Sequence, residues 1–575
     1  MQTVPGKGYR FVAEKNETNE ANDDSSPAVP ATAADPSRYP ITDPILDPVT
    51  APITTTPKTA PKVHRALTAA LLLILVLAGI VIALNVGGVR NGFFSGVGGR
   101  ARQIHSVAVI PLINLSGDAS QDYFADGMTD EVITMLAKNT SLRVVSRTSV
   151  MQYKGVKRPL PKIARELGVD GILEGSIERS PSRVHMTVQL IYAPTDTHVW
   201  AESYDRDLNQ AFLLPSELSQ TIAKEVQART TTLPVQPLRY ISPEAHEAYL
   251  HGRYFWFTFD LPQTLLYFEK AIQLQPDYAA AWSGLADTYA LGGMVSFLKP
   301  LDAAPKIGAA ARKAVELDDS LPEAHNSMAA WYLFYAWDLL RADEECKRAI
   351  ALNANYPEVH YVRHYVLLAL NRPEEAMVEE KRAVELDPYS RPWGLGGLYV
   401  DLREYDAAIS ELRLQTHARP GDPWVRWYLS LAYWFKGMYE QSEQELEKSY
   451  ELRGLPKMAA AAHKAWLQGG EKAVLQWNAN NLEAEARKHY VSSWNLSLVL
   501  ARTGEKDETM RYLEAAFHDH DPNLITVRYE PVFDFLHDDP RYQAILKQME
   551  LPPDNVGRQN SRYNDYYFKS FFKNE

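Results

Sequence analysis

A short cue recurs through the second half of the chain. A small residue is followed by an apolar one, then by Leu two positions on, and Pro, Asp or Asn closes the unit. The copies are Ala271-Ile272-Gln273-Leu274-Gln275-Pro276, Ala314-Val315-Glu316-Leu317-Asp318, Ala349-Ile350-Ala351-Leu352-Asn353 and Ala383-Val384-Glu385-Leu386-Asp387-Pro388. Their spacings are 43, 35 and 34 residues, and degenerate copies end at Pro420, Leu452 and Pro522. Each unit also carries an upstream aromatic: Tyr289, Tyr332, Tyr365, Tyr399 or Tyr433. A period of this size holds a pair of antiparallel helices. The small residue lets the two helices approach, and the aromatic fills the gap between them. No unit buries its own apolar face, so stacking must supply the core. The 43-residue interval marks an insertion around Gly292 to Pro305.

These motifs resemble the tetratricopeptide repeat. The resemblance implies an all-α solenoid over residues 242–550, with a concave groove that holds an extended peptide or a helix of a protein partner. Asp539-Pro540-Arg541-Tyr542-Gln543-Ala544-Ile545-Leu546 resembles the closing segment of membrane-tethered repeat regulators and is expected to form a capping helix. Most aromatics of the two clusters 331–337 and 424–435 belong to the repeat core, since helical spacing demands large residues there. Trp331, Tyr335, Trp427 and Trp434 are the candidates for lining a partner groove.

Upstream of the repeats, residues 106–228 read as an α/β domain. Ser106 to Leu112 is a continuous apolar run, as in a strand buried on both faces. Asp122 to Lys138 carries a helical stripe of Phe124, Met128, Val132, Met135 and Leu136. Further strands are expected at 143–146, 171–178, 184–192 and 197–204, with a short helix at 162–167. The phrases SVAVIPLINLS, YFADGMTDEVITML and ARELGVDGILEGSIERS resemble the TolB-N-terminal-like (FlgO-like) domain, which implies a non-catalytic interaction or sensing module.

Residues 66–86, ALTAALLLILVLAGIVIALNV, contain no charge. A run of about 18 or more apolar residues is long enough to cross a bilayer as a helix. The fold class expected is therefore multidomain: a single transmembrane helix, an α/β domain, then an all-α tetratricopeptide repeat solenoid. The lipid bilayer becomes a partner through 66–86. Lys58, Lys62 and Arg65 face Arg90, Arg100 and Arg102 across the run, a near tie on the positive-inside count. The nearer pair, Lys62 and Arg65, favours a cytoplasmic N-terminus in the inner membrane, with the larger domains beyond it.

Residues 1–13 form a strand, a Gly-Lys-Gly turn and a second strand. Val4-Pro5-Gly6-Lys7-Gly8-Tyr9-Arg10-Phe11 resembles the wing hairpin of the OmpR/PhoB-type winged-helix DNA-binding domain. On that resemblance Lys7 and Arg10 are the candidate DNA contacts. The recognition helix is absent from this sequence, so DNA is a partner only if the missing N-terminal domain is restored. Residues 14–65 hold nine prolines between Pro27 and Pro61 and read as a disordered Pro-rich linker. Residues 87–105 are a connector, and 552–575 a disordered tail.

Chemistry is hard to place. A net charge of −12 argues against general nucleic-acid binding, and the lone Cys346 excludes an intrachain disulfide or a CxxC site. His246 and His251 are five apart and diverge on a helix, unlike a zinc-protease pair. His518-Asp519-His520-Asp521 reads as a polar loop, and Gly96-Val97-Gly98-Gly99 as a linker. Asp126 and Asp130 share a helix face and read as charges suiting the helix N-terminus. No GxSxG elbow or Walker A occurs. No catalytic residue, metal site or cofactor is therefore expected, and the chain reads as a non-enzyme. Two functions are consistent with it: a membrane-tethered transcriptional regulator with an incomplete DNA-binding head, or an envelope scaffold that assembles partners through its repeats.

Overall fold

The computed structural model describes residues 2–4, 7–10, 104–226 and 240–552. Strands β1 (Gln2–Val4) and β2 (Lys7–Arg10) pair antiparallel, Gln2 opposite Arg10. The linker 14–65, the apolar run 66–86 and the tail from 553 lie outside the described residues.

The first globular part is an α/β domain. In chain order it holds β3 (Ser106–Val109), β4 (Ile113–Asn114), α1 (Asp122–Asn139), β5 (Arg143–Val144), α2 (Arg147–Met151), α3 (Leu160–Leu167), β6 (Gly171–Arg179), β7 (Arg183–Tyr192), β8 (Thr197–Asp207) and α4 (Leu214–Glu225). The strands lie in the order β5-β3-β6-β7-β8, with β4 also on β6. Strand β3, between β5 and β6, is buried at all four positions and parallel to both neighbours, which explains its unbroken apolar run. Strand β7 is buried at Val184, Met186, Val188 and Leu190 and not between them, the alternation of a sheet covered on one face. Helix α1 begins at Asp122, so Asp126 and Asp130 lie beyond its first turn, where the dipole no longer favours a carboxylate. Both instead make ion pairs: Asp126 with Lys154 at 2.8 Å and Asp130 with Arg253 at 2.8 Å.

From Pro243 the chain is helical. Successive antiparallel pairs are α5/α6 (Pro243–Phe257, Leu261–Leu274), α7/α8 (Ala279–Met294, Pro300–Leu317), α9/α10 (Pro322–Trp331, Leu339–Leu352) and α11/α12 (Pro357–Ala369, Pro373–Leu386). Then follow α13/α14 (Gly394–Asp401, Tyr405–Ala418), α15/α16 (Pro423–Phe435, Tyr439–Leu452), α17 (Pro456–Ala486), α18/α19 (Ser493–Thr503, Lys506–His518) and α20 (Pro540–Gln548). Helix α17 is broken at Gly469 and Gly470 and acts as two helices. This is a tetratricopeptide-type solenoid. The Leu of each of the four clear cues, at 274, 317, 352 and 386, is the last residue of a second helix. The turn within a pair is marked by a left-handed residue: Phe259, Ser296, Trp337, Asn371, Arg403, Gly437 and Gly504. Only the last two are glycines, so the other five hold a conformation that costs about 1 kcal/mol or more and that the surrounding helices impose.

The single transmembrane helix of the expected fold class is corrected. Among the described residues no helix is long and apolar enough to cross a membrane. Even α17, at 31 residues, carries Lys457, Lys464 and Glu471 and breaks in its middle, because each repeat helix keeps a polar face while packing the other. The placement as a single-pass inner-membrane protein with its N-terminus inside, and the bilayer as a partner, fall with it.

The array does not end freely. Residues 522–536 form two short 3₁₀ turns and, with α20, fold back on the middle repeats, so that Phe533, Leu536, Tyr542 and Ile545 share a core with Leu333, Val359 and Val366. Arg403, whose side chain is 2% exposed, pairs with Asp534, and the Tyr529 hydroxyl donates to Asn371 Oδ1 at 3.2 Å. The fold-back thus covers the edge formed by the turns within the pairs.

Candidate functional site

The opposite edge of the array carries the loops between pairs, and the α/β domain sits there. Four successive repeats hold it. In the first, Tyr123 Oη donates to Glu247 Oε1 at 2.7 Å and Arg179 pairs with Glu247 at 3.0 Å. Lys138 Nζ donates to the Ser320 carbonyl at 3.3 Å, and Asn355 Nδ2 to the Leu142 carbonyl at 2.9 Å. Beyond them Ser149 Oγ donates to Asp387 Oδ1 at 2.7 Å, and the Ser146 amide to the Leu386 carbonyl at 3.0 Å. The loops recur every 35 residues or so, which is what lets one rigid domain be gripped at regular points.

Helix α1 is the part that enters the array. It packs on α5 closely enough that a Cβ on Gly127 would fall 2.7 Å from Leu250 Cδ2. Two N–H groups of Arg253, from Nε and Nη2, donate to Asp130 Oδ2 at 2.9 and 2.8 Å. Arg147 and Arg253 also lie over the Phe257 ring, 3.8 and 4.9 Å from its centroid.

Between α1 and the first helices of four repeats lies a cavity of about 1520 Å³. Helix α1 contributes Asp130, Glu131 and Lys138; α5 contributes His246, Tyr249 and Arg253; α7, α9 and α11 contribute Asp287, Glu323, Asn326 and Glu358. Its polar atoms are poorly matched. Glu131 Oε2, Glu323 Oε2 and Asn326 Oδ1 are buried without a hydrogen-bond partner. Burial, helped by the charge of Asp130, pushes the Glu131 carboxyl up to about 8. Burial raises Asp287 to about 6 against a hydrogen bond from Ser327, and Glu358, beside Asp387, to about 7. His246, 3.4 Å from Glu131, is pushed down to about 4, chiefly by burial. The unpartnered oxygens of Glu131, Glu323 and Asn326 are held at a cost, because each lost hydrogen bond leaves a desolvated group worth roughly 1–3 kcal/mol.

The aromatic candidates lie elsewhere. Tyr335 is 3% exposed and its hydroxyl donates to the Ala290 carbonyl at 2.7 Å. Trp331 is half-buried; its Nε1 donates to the Ala304 carbonyl at 3.1 Å, and its ring lies against Gly308. Trp427 packs edge-on to Tyr428 and Trp424, and Trp434 lies under Arg502. The four belong to two separate helices, α9 with its continuing turn and α15, and none lines the cavity. Lys7 and Arg10 lie on the paired strand β2. The sequence reading missed Glu131, Asp287, Glu323, Asn326 and Glu358. Their one sequence signal is that Glu323 and Glu358 each follow the proline that opens a first helix.

No family model matches the chain. It is 32% identical over 251 residues to "Putative adenylate cyclase 3" of Rhizobium meliloti (strain 1021), a match that spans 42% of this chain and 41% of that protein. Among solved structures it is similar to yeast Tom70 (18% identity, 55% of this chain and 69% of that one, TM-score 0.33). It is also similar to the APC/C hetero-tetramer Cut9-Hcn1 (21% identity, 38% and 42%, TM-score 0.32). A third is YrrB, described as a TPR protein with an unusual peptide-binding site (23% identity, 34% and 97%, TM-score 0.24). At these scores the superpositions carry no argument of their own, and the solenoid assignment stands on the pairing and spacing of the helices.

Proposed function

We propose that this chain is a non-catalytic protein-interaction scaffold whose repeat groove is occupied by helix α1 of its own α/β domain. The observation that carries it is the Arg253–Asp130 pair, which fixes α1 against the first repeat. A repeat array offers a partner a continuous face of first helices. Here α1 packs on the first of them and faces the next three across the cavity, while the face of the later pairs, with Trp427 on it, is not part of the cavity. A protein partner would engage the later repeats first and gain the earlier ones only by displacing α1. The finer readings as a TolB-N-terminal-like sensor or a winged-helix regulator draw on sequence resemblance, and for the wing on the paired strands β1 and β2. The cyclase description of the bacterial relative is not carried over, because the match covers less than half of it.

The test is cross-linking of the whole chain to co-purified proteins, with mass-spectrometric mapping of the links. Links concentrated on first helices α13 and α15, and spreading to α5–α11 in an Arg253→Ala variant, support the reading. Links confined to β7, β8 or the outer helices α6, α8 and α10 would overturn it.

A further inference from the structure

The cavity behind α1 holds more carboxyls than its cations can match. Arg253 is engaged by Asp130, and Arg147 lies 3.9 Å from Asp126. Glu131, Asp287, Glu323 and Glu358 face the same space, and none makes an ion pair with a lysine or arginine among the described residues. Lys138 and Arg391 face the cavity as well, and each lowers the pKa of one carboxyl, Glu323 and Glu358 respectively, without offsetting burial. Arg348 is the remaining cation of the lining. A second, independent sign is Asn326: it is 5% exposed, lines the cavity, and its Oδ1 has no donor. The groups also come from successive elements. Asp287, Glu323 and Glu358 come from three successive first helices, α7, α9 and α11, while Glu131 faces them from α1. Tyr249, Tyr278 and Tyr356 supply aromatic walls, which suit ammonium groups and the methylenes between them.

We propose that this cavity binds a linear aliphatic polyamine, whose ammonium groups pair with Glu131, Asp287, Glu323 and Glu358 and donate a hydrogen bond to Asn326 Oδ1. The volume of about 1520 Å³ accommodates such a chain together with water. Carboxyls spread over α1 and three successive first helices match a molecule with charges spread along it better than a single compact cation. Binding would favour the ionised form of Glu131, whose carboxyl burial pushes up to about 8, so a proton is released on binding near neutral pH. The ligand would also bridge α1 to three repeats, which rests on α1 being seated against them and not on its displacement by a partner.

The experiment is calorimetric titration of the whole chain with spermidine at pH 7.5, in two buffers of different ionisation enthalpy and at matched ionic strength. Magnesium chloride and a lysine-rich peptide serve as comparison ligands. The expected result is one saturable site, a buffer-dependent heat that reports proton release, and at least tenfold weaker binding in Glu323→Gln and Glu131→Gln. Glu385→Gln, outside the cavity lining, keeps the wild-type affinity. Hydrogen exchange on the unmodified chain gives a reading free of variant misfolding: new protection in 130–138 and 323–334 supports the site. Spermidine binding no tighter than magnesium, binding unaltered by both substitutions, protection elsewhere, or capture of the peptide with no response to free spermidine would each overturn it.

Discussion

At the scale of single residues, the closest approach in the molecule's interface is also its simplest. Gly127 lets α1 lie against Leu250, and any side chain there must push the helices apart. Gly127→Val should weaken the docking of α1 by about 1–3 kcal/mol, the usual cost of overpacking. Hydrogen exchange of α1 would read it, and protection unchanged from wild type would show that α1 is not held by α5. The buried carboxyls give a second prediction. Glu131, Glu358 and Asp287 have folded-state pKa values raised by burial to about 8, 7 and 6. The folded state therefore binds their protons more tightly than the unfolded chain, where such groups titrate near 4. The stability they contribute is fully present below that value and is lost as pH rises through 6 to 8. Urea midpoints of the ligand-free chain should fall between pH 5 and pH 8, and Glu131→Gln should flatten the slope.

At the scale of elements, two edges of one array are covered by two different parts of the chain. The α/β domain takes the loops between pairs, and the fold-back 522–551 takes the turns within them. The fold-back is pinned by Arg403, itself a left-handed residue at the turn between α13 and α14. Removing one partner of a buried ion pair leaves an uncompensated charge, at a cost of roughly 3–5 kcal/mol. Arg403→Ala should therefore release the segment around Asp534 to proteolysis well before the repeats unfold. Digestion that cuts both together would mean the fold-back and the array are one cooperative unit. A smaller device repeats inside the array. His325 Nδ1 contacts Glu345 at 2.6 Å and its Nε2 contacts the Asp319 carbonyl at 2.8 Å; His360 does the same with Glu379 and Ala354. Each histidine ties a first helix to its own second helix and to the loop before it, which fixes where each loop meets the α/β domain.

At the scale of the whole described molecule, the groove and its occupant are one chain, so occupancy is set by an intramolecular equilibrium rather than by concentration. Asp130→Lys replaces an attraction to Arg253 with a repulsion and brings in a residue of higher helix propensity, so the helix itself is not weakened. Small-angle scattering should then show a larger radius of gyration, with trypsin cutting first within 104–226. An unchanged scattering curve would show that the loop contacts alone hold the domain.

The repeat period, the cue at the end of each second helix and the doubly buried strand β3 were legible in the sequence because they depend on local spacing. Alanine at a helix crossing and an unbroken apolar run at β3 have one physical reading each. The seventh pair, α17, carries no such cue and is formed by the break at Gly469–Gly470. The membrane-crossing expectation drew on composition in residues outside those described, and no helix within them is of that kind. Asp130 looked like a helix-end charge because a sequence shows which residues are three or four apart, not which helix lies opposite. Trp331 and Tyr335 looked like groove residues for the same reason; packing buries Tyr335, while Trp331 is half-buried with its ring against Gly308.

By itself the sequence determined that a solenoid of helix pairs would form, since each pair must stack to bury its apolar face. Only the tertiary structure decided what the solenoid encloses. The carboxyls of α1, α7, α9 and α11 come from segments up to some 230 residues apart, and their pairing, burial and raised pKa values exist only once α1 is seated among them.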